Sequence, residues 1–489
     1  MFNLFENCDI INLLVKKREC GGFMETNKKS RNSFSGSLGF VLAAAGSAVG
    51  LGNIWRFPYL AAKDGGGLFL VIYLVLVLTF GYALLTTEVA IGRKTKQSPL
   101  TAYSEIKKGW KGLGLLASLV PLLIMPYYCV IGGWVIKYFV AFLGGEGVDA
   151  AQDGYFTGFI TQEVWPLVFF AIFLGACAFI VFRGVNKGIE SASKIIMPTL
   201  LILVVGISVF SIALSHTDAS GVTRTGLEGL KVYVIPNLDG LTVSGFFTVL
   251  VDAMNQLFFS ISVAMGIMVA YGSYVKDDAN LGKSINQIEL CDTAVAVLAG
   301  VMIVPAVYTF MGTEGMQASG PSLMFVTLPK VFEAMGPAGY LIGSAFFAMV
   351  LFAALTSAVS VMEAVVSSLM DQFHISRFKA CVIETIIAVI GGVFVCLGYN
   401  KLYFELKLPN GAVGQVLDVL DYLSNSVMMP LVALFTCILI GWIAKPQVII
   451  DEVEKNGERM GRKVLYTVMI KFLAPVFMVI LLLKAFGLM

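Results

Sequence analysis

The residues of this chain that could do chemistry are glycines and polar groups placed inside long apolar segments. In the first such segment Gly46, Gly50 and Gly52 precede Asn53, and each glycine weakens a helix by up to about 1 kcal/mol relative to alanine. A later apolar segment is interrupted by polar residues within 256–262. An interrupted helix frees backbone carbonyl and N–H groups that lipid cannot satisfy. Freed carbonyls can hold Na⁺, and the positive end of a half-helix can hold a carboxylate.

A plainer interpretation of these glycines is close helix packing through a small-xxx-small pattern from Gly46 to Gly50. The spacing of the two interruptions favours a binding site instead. They lie five apolar segments apart, where a repeat of five helices would place equivalent helices. Paired interrupted helices in corresponding halves of a membrane protein indicate a binding site near the midplane.

The composition requires a membrane around these segments. Hydrophobic residues make up 57% of the 489 residues and charged residues only 13%, whereas roughly a quarter of a soluble domain is charged. Apolar runs of about 20 residues match a hydrocarbon core of ~30 Å. The sequence therefore predicts an all-α polytopic membrane protein with about eleven spans. They are expected near residues 36–60, 67–92, 113–143, 165–183, 191–214, 242–275, 284–311, 338–372, 378–397, 413–443 and 463–487.

Two classes of function are disfavoured by what the sequence lacks. It has no basic stripe of the kind that nucleic-acid binding requires, so no nucleic-acid partner is expected. It also has no set of His, Cys or carboxylate residues grouped for catalysis, so an enzyme embedded in the membrane is the least favoured interpretation.

Lys and Arg are concentrated in alternate connections, beginning with the N-terminal tail. The positive-inside rule then predicts a cytoplasmic N-terminus in the plasma membrane, and eleven spans leave the C-terminus outside. The expected organisation is a tail, a first repeat, an outer loop, a second repeat, and a cytoplasmic loop with the eleventh span. Their bounds are 1–35, 36–215, 216–241, 242–443 and 444–489.

The first residues carry a separate hypothesis about translation. Gly21 and Gly22 shortly precede Met24, and two glycine codons can encode a purine-rich ribosome-binding element. Residues 1–23 are therefore expected to lie upstream of the natural start at Met24.

Four sequence features together resemble the neurotransmitter:sodium symporter family. They are the segments 46–58, 183–190, 258–262 and 353–357. Eleven spans resemble a bacterial amino-acid transporter branch of that family. The resemblance implies a fold of the LeuT type, a 5+5 inverted repeat with broken first and sixth transmembrane helices.

The resemblance also implies two bound Na⁺ ions. Site 1 would be formed by Ala48, Asn53, Ser260 and Asp292, and site 2 by Gly46, Val49, Ala353, Thr356 and Ser357. The place of Asp292 requires a one-residue gap in the alignment of the seventh span. Without that gap Cys291 takes the position and Glu289 is the alternative, and Asp292 could instead cap a helix turn. The Thr356 and Ser357 hydroxyls could likewise bond only within their own helix.

An amino-acid substrate would occupy a pocket between the broken helices. Its expected residues are Ala48, Leu51, Gly52, Ile124, Tyr128, Phe259, Ser260, Ser262, Met265, Ser357 and Val361. Arg56 and Asp421 resemble the outer gate of the family, with Phe259 as a lid. Arg31 and Asp371 resemble its inner gate.

The residues at matching positions then narrow the expected function. Gly50 stands where monoamine transporters of the family have Asp, so an amino acid is expected instead of an amine. No charged side chain lines the pocket, and Met265 stands where some relatives have Phe, so a hydrophobic or aromatic amino acid is favoured. Ala264 replaces a glycine of some relatives, so the sixth helix is expected to unwind less freely. A carboxylate at Asp292 would make chloride unnecessary.

The expected activity is therefore sodium-coupled amino-acid symport by alternating access. A sodium-independent exchanger on the same fold and a non-transporting amino-acid sensor remain open as alternatives. The lipid bilayer and a small amino acid are the expected partners, and the oligomeric state is not predicted.

Overall fold

A computed structural model describes residues 33–218, 220–318 and 320–489 of the chain. Arg31, the proposed start at Met24 and most of the predicted tail lie outside the described residues. Within the described residues, ten helices are long and apolar enough to cross a membrane, and a bent pair of shorter helices supplies an eleventh span. The prediction of an all-α polytopic protein with about eleven spans is confirmed.

The first span is the bent pair. Its halves are Ser37–Ala48 and Gly52–Lys63, and their axes differ by 51°. The first half has no polar side chain except Ser37 and Ser47, and it is helical up to Ala48, two residues before Gly50. The helix ends at Ala48, and Val49 has an extended backbone with φ −72° and ψ 90°.

The sixth span is also broken, as the inverted repeat requires. Its outer half is Val243–Ser260 and its shorter second half is Ile267–Ser273. Thr242 caps the first half by accepting the N–H of Gly245 at 3.0 Å. The residues between the halves form no helix.

The remaining spans are helices that agree with the predicted apolar runs to within a few residues, and the seventh has a kink at Gly312, where φ is 64°. They are Gly67–Thr95, Lys111–Leu143, Trp165–Phe182, Val185–Ile212, Leu281–Gly315, Pro337–Phe373, Arg377–Leu397, Val416–Ile443 and Lys463–Ala485. The fifth span begins earlier than predicted, because the segment Val185–Glu190 forms a π-helical turn that continues into it.

Short elements connect the spans. The helices are Pro99–Ile106, Gly147–Ala150, Tyr155–Ile160, Gly226–Val234, Gly320–Ser322, Leu323–Thr327, Leu328–Ala334 and Gln447–Val453. Two antiparallel strand pairs are formed by Ser215–Thr217 with Thr223–Thr225 and by Leu406–Lys407 with Val413–Gly414.

The core lies between the two broken spans and the long helices that pack on them. Gly92 of the second span and Gly272 of the sixth lie against backbone of the opposite helix, so that a Cβ on either would lie 2.1 Å or 2.3 Å from a carbonyl oxygen. This close approach places the second span directly behind the break of the sixth. The third and eighth spans complete the wall on the other side.

Candidate functional site

The unwound segment of the first span lies at the centre of the molecule. Gly50 and Gly52 are needed there because the surrounding side chains leave no room for a Cβ. A Cβ at Gly50 would lie 2.9 Å from the Ser357 hydroxyl oxygen, and one at Gly52 would lie 2.7 Å from the Phe259 ring. From Gly52 to Arg56 the chain forms a π-helical turn before the outer half-helix begins. The backbone of this segment is therefore closely covered by side chains of the sixth and eighth spans.

The break in the sixth span contains three residues in the left-handed backbone region. Ser262, Ala264 and Gly266 have φ values of 54°, 62° and 74°, and a side chain in this region costs roughly 1–2 kcal/mol per residue. The buried carboxylate of Glu88 on the second span accepts the Ala264 N–H at 2.6 Å. Ala264 thus adopts an unwound conformation without the freedom of glycine, because Glu88 holds its backbone.

A buried carboxylate joins the two breaks to the seventh span. Asp292 is 0% exposed, and its Oδ1 accepts the Asn53 side-chain N–H at 2.7 Å. The Ser260 hydroxyl lies 3.0 Å and 3.2 Å from the two carboxylate oxygens and 3.2 Å from the amide oxygen of Asn53. Among the described residues, both side chains that hydrogen-bond to this carboxylate are neutral, and no Lys or Arg forms an ion pair with it.

Glu289 and Cys291, the other residues of the seventh span considered for site 1, lie in different surroundings. Glu289 forms an ion pair with Arg462 at 2.8 Å, and Cys291 is only half-buried. Of the three residues considered from the sequence, the structure brings Asp292 to Asn53 and Ser260.

This cluster fits a bound alkali cation. A buried charge is stable when it is paired or coordinates a metal ion, and carboxylate, amide, hydroxyl and carbonyl oxygens are the ligands that hard cations prefer. The donors present are therefore suitable for Na⁺, with Asp292 as the negative charge. Ala48, the remaining residue expected at site 1, lines the adjacent cavity together with Asn53 and Ser260.

A second group of oxygens lies where the eighth span meets the first break. The Ser357 hydroxyl is 2.9 Å from the Ser47 carbonyl oxygen and 3.4 Å from those of Gly46 and Val49. The Thr356 hydroxyl is bonded within its own helix, 3.0 Å from the Phe352 carbonyl oxygen and 3.1 Å from that of Ala353. A Cβ at Gly46 would lie 3.2 Å from the Thr356 Cβ. All five residues expected at site 2 thus lie together, with only Ser357 bonded across to the first span.

A central cavity separates these two groups of oxygens. Its walls are formed by the first, third, sixth and eighth spans. The residues predicted for the pocket all line it: Ala48, Leu51, Gly52, Ile124, Tyr128, Phe259, Ser260, Ser262, Met265, Ser357 and Val361.

Sequence reasoning missed three lining residues, Ser47, Gly50 and Ile267. Ser47 is the most connected of them. Its carbonyl accepts hydrogen bonds from Ser262 at 3.0 Å and from Ser357 at 2.9 Å. Its position as a lone hydroxyl residue beside the glycines was the available signal.

A larger cavity lies above the central one, at the outer half of the first span. It has an empty volume of about 1470 Å³, and Arg56 and Asp421 both line it. Asp421 accepts hydrogen bonds from Asn425 at 2.5 Å and from Tyr127 at 3.2 Å. Within the described part of the chain, no ion pair within 4.0 Å joins it to Arg56. Leu51, Tyr128 and Phe259 line both cavities.

At the other end of the molecule Asp371 accepts the Ser98 N–H at 2.7 Å and makes a further interaction. Its expected partner Arg31 lies outside the described residues. The structure therefore describes one half of the expected inner gate.

The sequence and the fold agree with known proteins over nearly the whole chain. Residues 31–146 and 159–488 match the model of the sodium:neurotransmitter symporter family. An uncharacterized sodium-dependent transporter of Bacillus subtilis, YhdH, is 32% identical over 93% of this chain and 98% of its own length. An uncharacterized sodium-dependent transporter of Haemophilus influenzae is 30% identical over 88% of this chain and 93% of its own length.

The crystal structure of MhsT in complex with L-phenylalanine matches with a TM-score of 0.80 at 33% identity. The match covers 93% of this chain and 100% of that one. The broken helices, the buried carboxylate cluster and these matches lead to one assignment. This chain belongs to the sodium:neurotransmitter symporter family and is a sodium-dependent multi-pass membrane transporter, not an enzyme.

Proposed function

We propose that this transporter carries a hydrophobic or aromatic amino acid together with two Na⁺ ions by alternating access, without a need for chloride. The observation that carries the proposal is the fully buried Asp292 carboxylate, which is hydrogen-bonded to neutral Asn53 and Ser260, two residues that line the central cavity. Such a carboxylate supplies the negative charge that a bound cation needs.

Asp292 would have two roles in site 1. Its oxygens would coordinate Na⁺ beside Asn53 and Ser260, and its charge would balance the excess positive charge of two cations and one substrate carboxylate. Unit charges about 4 Å apart interact by about 4 kcal/mol at an effective dielectric constant of 20. A fixed carboxylate at this place would make a bound anion such as chloride unnecessary.

Site 2 would be formed by Gly46, Val49, Ala353, Thr356 and Ser357. The support is the arrangement in which Ser357 already faces the carbonyl oxygens of Gly46 and Val49 at 3.4 Å. When Na⁺ binds there, the Thr356 hydroxyl would keep donating its hydrogen bond to a carbonyl oxygen of its own helix. A lone pair of the same hydroxyl oxygen would face the ion.

The cavity favours a zwitterion with an apolar side chain. Among the residues that the structure describes, no Lys, Arg, Asp or Glu side chain lines it. The substrate carboxylate would be bound by the N–H groups of Leu51 and Gly52 and by the Tyr128 hydroxyl, and the amine by the Ser262 hydroxyl and backbone carbonyls of the breaks. Ile124, Met265 and Val361 would contact the side chain, and a flexible Met can adapt to aromatic rings of different size. MhsT, whose structure contains L-phenylalanine, is a relative consistent with this class.

The gates would act through Arg56 with Asp421 on the outside and Arg31 with Asp371 on the inside. The open space between Arg56 and Asp421, without a direct ion pair among the described residues, supports an outer gate that can close. The N-terminus would be cytoplasmic and the C-terminus outside the plasma membrane, following the distribution of Lys and Arg.

The sodium gradient would drive uptake against a substrate gradient. Each Na⁺ moving inward gains about 2.3 kcal/mol per 100 mV. Two ions therefore gain ~4.6 kcal/mol before any concentration difference, enough for a more than thousandfold accumulation of a zwitterion.

Uptake by proteoliposomes tests this function directly. The purified protein would be offered labelled Leu, Phe, Tyr, Trp, Glu and Lys, with an inward Na⁺ gradient or with equal Na⁺ on both sides. We expect accumulation of one or more apolar amino acids only with the gradient. Amino-acid exchange that does not depend on Na⁺ would show that the protein is a sodium-independent exchanger. Binding without accumulation would show that it is a non-transporting sensor. Accumulation of Glu or Lys alone would contradict the proposed substrate class.

A further inference from the structure

A polar cavity apart from the transport route lies where the seventh span begins. Its empty volume is about 1210 Å³, and it is bounded by the second span, the start of the seventh span and the connection before the eleventh. Three cationic side chains line it, Lys283, Arg459 and Arg462. This end of the seventh span is the membrane face opposite the outer cavity.

Arg462 is held rigidly at the edge of this cavity. Its guanidinium lies 3.5 Å from the centroid of the Tyr82 ring. It donates to the Leu78 carbonyl oxygen at 2.9 Å and to the Glu289 carboxylate at 2.8 Å. The second span has a π-helical turn at Val77–Gly81, which includes the carbonyl group that Arg462 binds. One cation of the cavity is therefore fixed against the membrane-spanning helices.

The other two cations have no fixed partner. Lys283 and Arg459 are exposed, and neither makes a side-chain hydrogen bond or ion pair with another residue in the described ranges. Glu458 is the one acidic residue among those that line the cavity. Because Arg462 is already paired with Glu289, the two unpaired cations and Glu458 leave a net positive charge on the walls.

The rim of the cavity continues into an apolar surface that faces lipid. Leu290 is 69% exposed and Leu78 is 56% exposed, both on membrane spans. The exposed amides of Asn286 and Gln287 lie on the cavity side of the same helix. A ligand at this place would meet cations and amides at one end and leucine side chains at the other.

We propose that this cavity binds the headgroup of an anionic phospholipid, with the acyl chains along the exposed leucines of the second and seventh spans. Arg and Lys are suited to phosphate oxygens through charge-assisted hydrogen bonds. Basic pockets between membrane helices attract acidic headgroups. The apolar rim distinguishes a lipid from a soluble phosphate, which would gain nothing from Leu290. The site is independent of the transported substrate and of the ion sites.

Lipid binding to the purified full-length protein tests this site. Native mass spectrometry would measure the affinity for phosphatidylglycerol and for phosphatidylcholine in the wild type and in the double variant K283Q/R459Q. Removing one cation near a membrane surface costs about fivefold in affinity, so the double variant should bind phosphatidylglycerol roughly 25-fold more weakly. The variant K107Q/K108Q is the matched control, because Lys107 and Lys108 are exposed cations outside this cavity. Its affinity should equal that of the wild type.

Each other result has a defined meaning. Equal affinity of the wild type for the two lipids would overturn the proposal, and so would wild-type phosphatidylglycerol affinity in K283Q/R459Q. If inorganic phosphate displaced phosphatidylglycerol completely from the wild type, the cavity would be assigned to free phosphate instead. If the double variant does not fold, the single variant R459Q, which changes an exposed side chain, should still show the fivefold loss.

Discussion

Replacing Asp292 by Asn removes one negative charge from the buried cluster while almost preserving the shape of the side chain. The oxygen atom of the new amide could still face Asn53 and Ser260, which now lie 2.7 Å and 3.0 Å from Asp292 Oδ1. The substitution therefore changes the charge of site 1 more than its packing. We expect D292N to fold, to lose affinity for Na⁺ and to respond to chloride.

The expected size of the loss follows from the burial of the carboxylate. Two unit charges 4 Å apart interact by about 1 kcal/mol in bulk water and by about 4 kcal/mol at an effective dielectric constant of 20. These energies correspond to roughly fivefold and about a thousandfold in affinity. Because Asp292 is 0% exposed, the apparent Na⁺ affinity of D292N should fall towards the larger value.

The assay is amino-acid uptake by proteoliposomes as a function of Na⁺ concentration, in chloride and in gluconate. Wild-type uptake should be the same in both anions. Uptake by D292N should need far more Na⁺ in gluconate and should recover in part when chloride supplies the missing charge. The matched control is E289Q, one turn earlier on the same helix, where the carboxylate pairs with Arg462 at 2.8 Å. That variant should keep the wild-type response to both ions.

Two outcomes would refute this reasoning. If D292N kept wild-type Na⁺ affinity and ignored chloride, Asp292 would carry no charge that the ion senses. If wild-type uptake required chloride, the carboxylate would not be the counter-charge of the site. In either case the buried cluster would be structural.

Three further predictions concern other parts of the structure. The double variant T356A/S357A should abolish sodium-driven uptake while the protein still folds. The control S367A, which removes a hydroxyl bonded within the same helix, should retain uptake. Normal uptake by the double variant would show that site 2 is misplaced. G50A should weaken substrate binding by tenfold or more in a direct binding assay, because the new Cβ would lie 2.9 Å from the Ser357 hydroxyl oxygen; unchanged affinity would show that this segment moves away on binding. The pKa of Asp64, which lies outside the spans, is raised to about 6, chiefly by burial and also by the nearby Asp252 carboxylate. Ionisation of Asp64 therefore destabilises the fold as pH rises from about 4 to 6. D64N should therefore raise the melting temperature at pH 7.5 and flatten its dependence on pH in that window, and a lower melting temperature at pH 7.5 would contradict this sign.

The spans and both helix breaks could be predicted because each leaves a local signal. Apolar runs of the length of a bilayer appear in the structure as Lys111–Leu143 or Pro337–Phe373, and Gly50 and Gly52 mark the first break. Membrane helices must satisfy their own backbone hydrogen bonds, so the relation between sequence and structure is unusually direct.

Local sequence signals could not decide which residue of the seventh span faces Asn53 and Ser260. Cys291 and Asp292 are adjacent, but successive residues of a helix point about 100° apart. Only the packing of the seventh span against the two breaks brings Asp292 to Asn53 and leaves Cys291 half-buried. The separation of Arg56 from Asp421 is equally inaccessible from sequence, because it depends on which conformation a gated protein adopts.

From the sequence, Ala264 was expected to limit the unwinding of the sixth helix. That expectation did not take account of a contact from the second span. Alanine does disfavour the left-handed region. The Glu88 carboxylate nevertheless accepts its N–H at 2.6 Å, and the sequence separation of 176 residues hides this partner.

The bond from Glu88 to Ala264 also bears on how the protein is made. In the first span, carbonyl groups freed by the break are bonded by Gln256 of the sixth span and Ser357 of the eighth, which are synthesised later. The sixth span depends on Glu88, which lies on the second span and has already been synthesised when Ala264 emerges. Since synthesis runs from the N-terminus, the acceptor is present before the break that needs it. A circular permutant that places the sixth span before the second would have to hold Ala264 unwound until its partner Glu88 is synthesised.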